Sequence, residues 1–123
     1  MVANMLAVGV GGFVGANIRF LVGSWLQGKL TFPVGTFVIN LIGCFGLAVV
    51  ATIIRERVDW SDTARLLVTT GFFGALTTFS TFSLETFNLL VEGQIATGVF
   101  YGVGSLLLGL LATLLGVGLV RAL

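Results

Sequence analysis

Four stretches of this chain are long and apolar enough to cross a lipid bilayer, and little sequence is left for anything else. A crossing takes about 20 mostly apolar residues in helical form, because the hydrocarbon core is about 30 Å thick. The stretches run over residues 4–26, 33–54, 62–91 and 95–120. In hydrocarbon every backbone amide needs a partner within the chain, and a helix supplies it locally. The 123 residues therefore read as one all-α integral membrane domain of four transmembrane helices. Only 9% of the residues are charged, against about 25% in a soluble domain, so lipid is the main solvent. A net charge of +1 gives no electrostatic case for nucleic acid. With no histidine and a single cysteine, Cys44, a Cys/His metal site and an intrachain disulfide are both excluded. The start of the chain lacks a basic n-region and runs straight into a full-length span, so no cleavable leader is expected.

The third stretch departs from this apolar character. Residues 77–83 read TTFSTFS, with hydroxyls on Thr77, Thr78, Ser80, Thr81 and Ser83 around Phe79 and Phe82. An unpartnered hydroxyl in hydrocarbon costs roughly 2–7 kcal/mol. Such a block is expected to face protein or a water-filled path rather than lipid. Residues 62–91 are also too many for one crossing, which predicts an interruption, placed at the Gly71–Gly74 pair. Carbonyls near Gly74 to Thr77 would then lose their helical donors and become available to a hard cation, which prefers oxygen. Beyond it, helical spacing sets Phe79, Phe82 and Thr86 on one stripe and Thr78, Thr81 and Glu85 on the next. The phenyl stripe is either packed core or a row of positive ring edges presented to an anion. Glu85 is the one carboxylate placed clearly inside a span, and such a group is a functional candidate by default.

The other spans hold fewer polar groups. In the first, Gly11 and Gly15 form a GxxxG pair with Gly12 and Ala16 beside it, a pattern that lets helix backbones approach closely. Arg19 lies about 10 Å from the end of that span at ~1.5 Å per residue. It either snorkels to the interface or sits at a pore vestibule. Pro33 is expected in the first turn of the second helix. Thr36, Asn40 and Gly43 share one face of that helix, suited to interhelical hydrogen bonding or to a donor offered to an ion. Residues 55–65 form a charged aqueous connection, with Ser61 or Asp62 as a cap for the third helix. Glu92, Gly93 and Gln94 form a tight turn, and Tyr101 and Ser105 share a face of the last span. Four passes put both termini and the 55–65 connection on one side. That side holds Arg55, Arg57, Arg65 and Arg121 against Lys29 and Arg19 on the other, a mild lean toward termini inside.

Ser, Thr, Asn and phenyl edges, with an arginine near a mouth and few carboxylates, suit a small anion: neutral donors replace part of its hydration shell without trapping it. A cation path would carry rings of Asp or Glu. Four helices scarcely enclose a pore, so oligomerisation is expected. No nucleophile–base pair is present, which argues against an enzyme.

GTFVINLIGCF over 35–45 and GFFGALTTFSTFSLET over 71–86, followed by Tyr101 and Ser105, resemble the Fluc fluoride channels, also called the CrcB family. The resemblance spans essentially the whole chain. It implies an antiparallel, dual-topology homodimer in the plasma (inner) membrane, with two fluoride pores and a structural sodium ion, Na+, at its centre. By position it implies that Asn40 is the pore asparagine and that Phe79 and Phe82 line the path with their ring edges. Ser80 and Thr81 stand nearest the path, and Ser83 belongs to the same block. Tyr101 and Ser105 match polar positions of the last helix. Thr36 and Glu85 belong to the vestibule or its supporting structure, as does Arg19, which matches the family's first-helix arginine. The backbone carbonyls of Gly74 and Thr77 would hold the sodium. Two other readings stand beside this one. A small four-helix multidrug exporter would need a proton-coupling acid, a role the first span leaves to Glu85. A non-transporting assembly subunit would use the glycine pairs and hydroxyls only as interhelical glue.

Overall fold

The described part of the chain folds, in a computed structural model, into five helical segments that make four passes. The structure describes residues 1–28 and 31–123. Helix α1 is Val2–Leu26 and α2 is Val34–Glu56. Helix α3 covers residues 62–76: α-helical Asp62–Leu66, π-helical Leu67–Phe73 and one turn, Gly74–Leu76. Helix α4 is Phe79–Val91 and α5 is Ile95–Ala122. Among the described residues four helices are long and apolar enough to cross a membrane, α3 and α4 counting as one interrupted span, Asp62–Val91. The expected bounds hold to within two residues. Pro33 precedes α2 rather than opening its first turn. Lys29, weighed in the charge count, lies outside the described residues.

Local chemistry sets the ends. The Ser61 hydroxyl accepts from Ala64 N–H at the start of α3, satisfying a donor the first helical turn leaves open. Gly93, at φ 81°, turns the chain from α4 into α5 in a backbone region that other residues reach only with strain. The Arg57 guanidinium donates to Val120 O and Arg121 pairs with Glu56 at 2.8 Å, closing the end of α5 against that of α2. Thr63 donates to Asn4 Oδ1 at 2.7 Å. Both termini and the 57–61 connection thus share one end, as four passes require.

The interruption does not fall at Gly71–Gly74. Both glycines keep right-handed helical backbone, and the chain leaves the helix at Thr77 (φ −89°, ψ 158°) and Thr78 (φ −148°, ψ 121°). Gly71 serves contact instead. A Cβ on Gly11 would overlap Leu67 O, one on Gly15 would overlap Phe72 O, and one on Gly71 would sit 2.7 Å from Val8 O. The expected GxxxG pair therefore seats α1 backbone-to-backbone on the π-helical turn. That turn carries one extra residue: Gly74 N–H reaches Thr69 O, five residues back. Beneath it, Ile39, Phe73 and Leu76 form the buried core, with Val22, Val50, Val68 and Phe72 against them. The outer faces stay apolar and open, as Phe13 (72% exposed) and Trp25 (84%) show, which suits lipid.

Gly15→Ala is expected to destabilise the protein by about 1–3 kcal/mol, the usual cost of overpacking. Gly9→Ala, where an added Cβ meets nothing within 4 Å, is expected to be neutral or stabilising. Unfolding in detergent by denaturant, followed by circular dichroism, checks the pair.

Candidate functional site

The site is built where α3 stops. Two extended residues in mid-span leave peptide groups without helical partners, and in hydrocarbon each must find one. The face of α2 carrying Thr36, Asn40 and Gly43 supplies them in order. Asn40 Nδ2 donates to Thr78 O at 3.2 Å, and Thr78 N–H donates to Asn40 Oδ1 at 2.9 Å. One side-chain amide thus pairs with both polar groups of one residue, as a neighbouring strand would. One turn further along α2, Gly43 leaves a notch filled by the Thr77 side chain, whose methyl would overlap a Cβ there. One turn back, the Thr36 hydroxyl donates to Glu85 Oε1 at 2.9 Å. The Thr78 hydroxyl then caps α4, accepting from Thr81 N–H at 3.3 Å.

Helix α5 closes the other side. Tyr101, fully buried, donates its hydroxyl to Glu85 Oε2 at 2.7 Å. Both carboxylate oxygens of Glu85 therefore accept from neutral hydroxyls. The Tyr101 ring meets that of Phe82 edge-on with centroids 5.2 Å apart, and Phe82 meets Phe79 at 5.9 Å. The Ser105 hydroxyl is buried with no protein partner. Arg19 does not snorkel: it turns inward and donates from Nη1 to Thr77 O at 3.3 Å. There it meets the carbonyl end of α3, which carries partial negative charge.

Two cavities flank this clasp and share Thr78. One, about 470 Å³, includes Arg19, Thr36, Thr81 and Glu85 in its lining. The other, about 290 Å³, includes Asn40, Phe79, Phe82 and Ser105. Cys44, which no polar pattern in the sequence singled out, also borders the second, one turn beyond Asn40. Arg19 and Glu85 face the same cavity, yet among the described residues no ion pair joins them. Phe79 is 81% exposed on the single chain, and Ser80, Thr81 and Ser83 are exposed beside it. The Ser83 hydroxyl turns back to Phe79 O at 2.9 Å. Gly74 and Thr77 lie at the end of α3, where the carbonyl of Gly74 loses the Thr78 N–H that an unbroken helix would provide.

This arrangement of clasped break, hydroxyls and phenyl edges accompanies a clear relationship at the level of sequence. Residues 6–117 match the family described as "CrcB-like protein, Camphor Resistance (CrcB)". The chain belongs to the CrcB family. Among its relatives, the "Fluoride-specific ion channel FluC" of Chloroflexus aurantiacus is 43% identical over 120 residues, covering 96% of this chain and 95% of that one. A protein of the same description from Acidobacterium capsulatum is 46% identical over 113 residues, 90% of each chain. One from Roseiflexus is 38% identical over 122 residues, 98% of each. Four spans and this membership make the CrcB chain a multi-pass membrane protein.

Asn40→Leu keeps the helix but strands both polar groups of Thr78. An unsatisfied buried group costs about 1–3 kcal/mol, so exchange of the Thr78 amide with deuterium is expected to quicken about 10-fold or more. Hydrogen–deuterium exchange resolved at that amide, with Ile42→Leu on the exposed face of α2 as control, measures it.

Proposed function

We propose that this protein is a fluoride channel. It lets F− leave the cytoplasm passively through the plasma (inner) membrane and so lowers internal fluoride. The observation that carries the reading is the near-full-length identity, 38–46%, to proteins named fluoride-specific ion channels. The chemistry of the site supports it. An anion at the wider cavity meets the Arg19 guanidinium and the Thr81 hydroxyl, while Thr36 gives its proton to Glu85. Past Thr78 it meets Asn40, Ser105 and the rings of Phe79 and Phe82. The Ser105 hydroxyl has no protein acceptor to satisfy its proton, so it is free to donate to an ion. Asn40 commits one Nδ2 proton to Thr78 O and retains the other. Neutral donors and positive ring edges hold an anion loosely enough to release it, the condition for conduction. Glu85 adds negative charge that two hydroxyls hold in place, so it sets the positions of Thr36 and Tyr101 rather than binding the anion.

The working form we propose is an antiparallel, dual-topology homodimer. A mostly exposed Phe79 beside exposed Ser80 and Thr81 suits a second subunit better than lipid. The weak bias of basic residues between the two sides permits insertion in both senses. We further propose that the carbonyls of Gly74 and Thr77 from both subunits hold a structural sodium ion. The freed Gly74 carbonyl, on an exposed residue at the break, fits a hard-oxygen donor. Thr77 O would share its lone pairs between that ion and Arg19. When bound, the ion supplies fixed positive charge where two helix ends meet.

Liposomes loaded with fluoride and carrying the purified protein are expected to lose fluoride rapidly and to retain chloride in a parallel preparation. Phe79→Ile and Phe82→Ile each remove a ring edge, and losing about 1.5 kcal/mol of such contact slows efflux about 10-fold. Folded protein that releases neither anion would refute the channel.

A further inference from the structure

Behind the pathway, the aromatic residues form a connected group. Tyr101 is the one large side chain in the described residues that is completely buried. Its hydroxyl reaches Glu85 and its ring abuts Phe82, so its position fixes two groups of the pathway. The same ring is also held by Phe32, edge-on at 5.3 Å, and at 6.4 Å by Phe37. Phe32 is not part of any helix: it lies in the α1–α2 connection, one residue before Pro33. A residue before proline is confined to extended backbone. Pro33 is buried, and Phe32 O accepts from Val34 N–H at 2.8 Å. The ring of Phe32 is thereby delivered from a fixed point and also meets Phe37 edge-on at 5.3 Å.

We infer that Phe32 is a positioning residue of the anion pathway, acting from the α1–α2 connection through Tyr101 on Phe82 and Glu85. The inference rests on the channel reading, since it assigns a role in the same site. Phe32 touches no group offered to the anion directly. It removes the freedom of Tyr101 to tilt away, and the Tyr101–Phe82 contact passes that constraint to the ring edge that borders the second cavity. A leucine at position 32 still fills apolar space but presents no ring edge.

Tyr101 is the only tyrosine, so protein grown with 3-fluorotyrosine carries a single reporter there. The full chain in lipid nanodiscs is expected to give one fluorine resonance from Tyr101. Phe32→Leu is expected to shift and broaden it, and to slow fluoride efflux from liposomes about 2- to 10-fold, the range edge contacts span. Phe32→Met serves as a second ringless variant should the leucine protein fail to fold. Phe32→Tyr, measured unlabelled because it adds a tyrosine, is expected to restore efflux. Phe87→Leu, an exposed ring on α4, is expected to change neither resonance nor flux. A resonance unchanged by loss of the ring at 32 overturns the inference, as does a moved resonance with undiminished flux. Parent protein that passes no fluoride, with the resonance still sensitive to position 32, refutes the channel and leaves only the seating of Tyr101.

Discussion

The structure depends on how two peptide units survive outside a helix in the middle of a membrane span. Thr77 and Thr78 are extended, so the polar groups of Thr78 and the Thr77 carbonyl lose the partners a continuous helix would give them. Asn40 answers for Thr78, and Arg19 together with the helical bond to Phe73 O answers for Thr77. The geometry of the surrounding side chains depends on this break. It starts a new helix at Phe79, so the Thr78 hydroxyl is a cap rather than an exposed liability, and it aims Phe79 and Phe82 toward a cavity.

The break also needs its flanking segments held in register. Helix α3 reaches Thr77 through a π-helical turn whose extra residue rotates the last turn of the helix relative to the first. Gly11 and Gly15 seat that turn so closely that no side chain fits between the backbones. Gly43 does the same for the Thr77 methyl. In hydrocarbon, where apolar surface gains nothing by meeting apolar surface, such contacts rest on dispersion at close range and are sensitive to one methyl group.

Charge is handled by separation. Arg19 and Glu85 border one cavity, yet each is satisfied by neutral groups: the guanidinium by a carbonyl, the carboxylate by two hydroxyls. A direct ion pair there would cancel the positive field of the guanidinium in the cavity. With the two kept apart, the arginine retains positive charge toward the cavity, while the glutamate orders Thr36 and Tyr101.

Much of this was legible in the chain itself. The number and bounds of the spans, the Ser61 cap, the turn at Gly93 and an interruption in the third span all come from hydropathy, spacing and backbone preference, which are local properties. So does the shared face of Thr36, Asn40 and Gly43, because helical periodicity fixes it. The position of the interruption was not legible. Glycines marked 71 and 74, but the break fell at 77–78, since only there does another helix offer an amide to replace the lost hydrogen bonds. The inward turn of Arg19, the double acceptance by Glu85 and the reach of Phe32 to Tyr101 join residues 16 to 69 positions apart, and no periodicity links them. Sequence determined that four helices would form and that polar groups would lie inside them. Tertiary packing decided which polar groups meet, because partners in hydrocarbon are chosen by proximity across helices rather than along them.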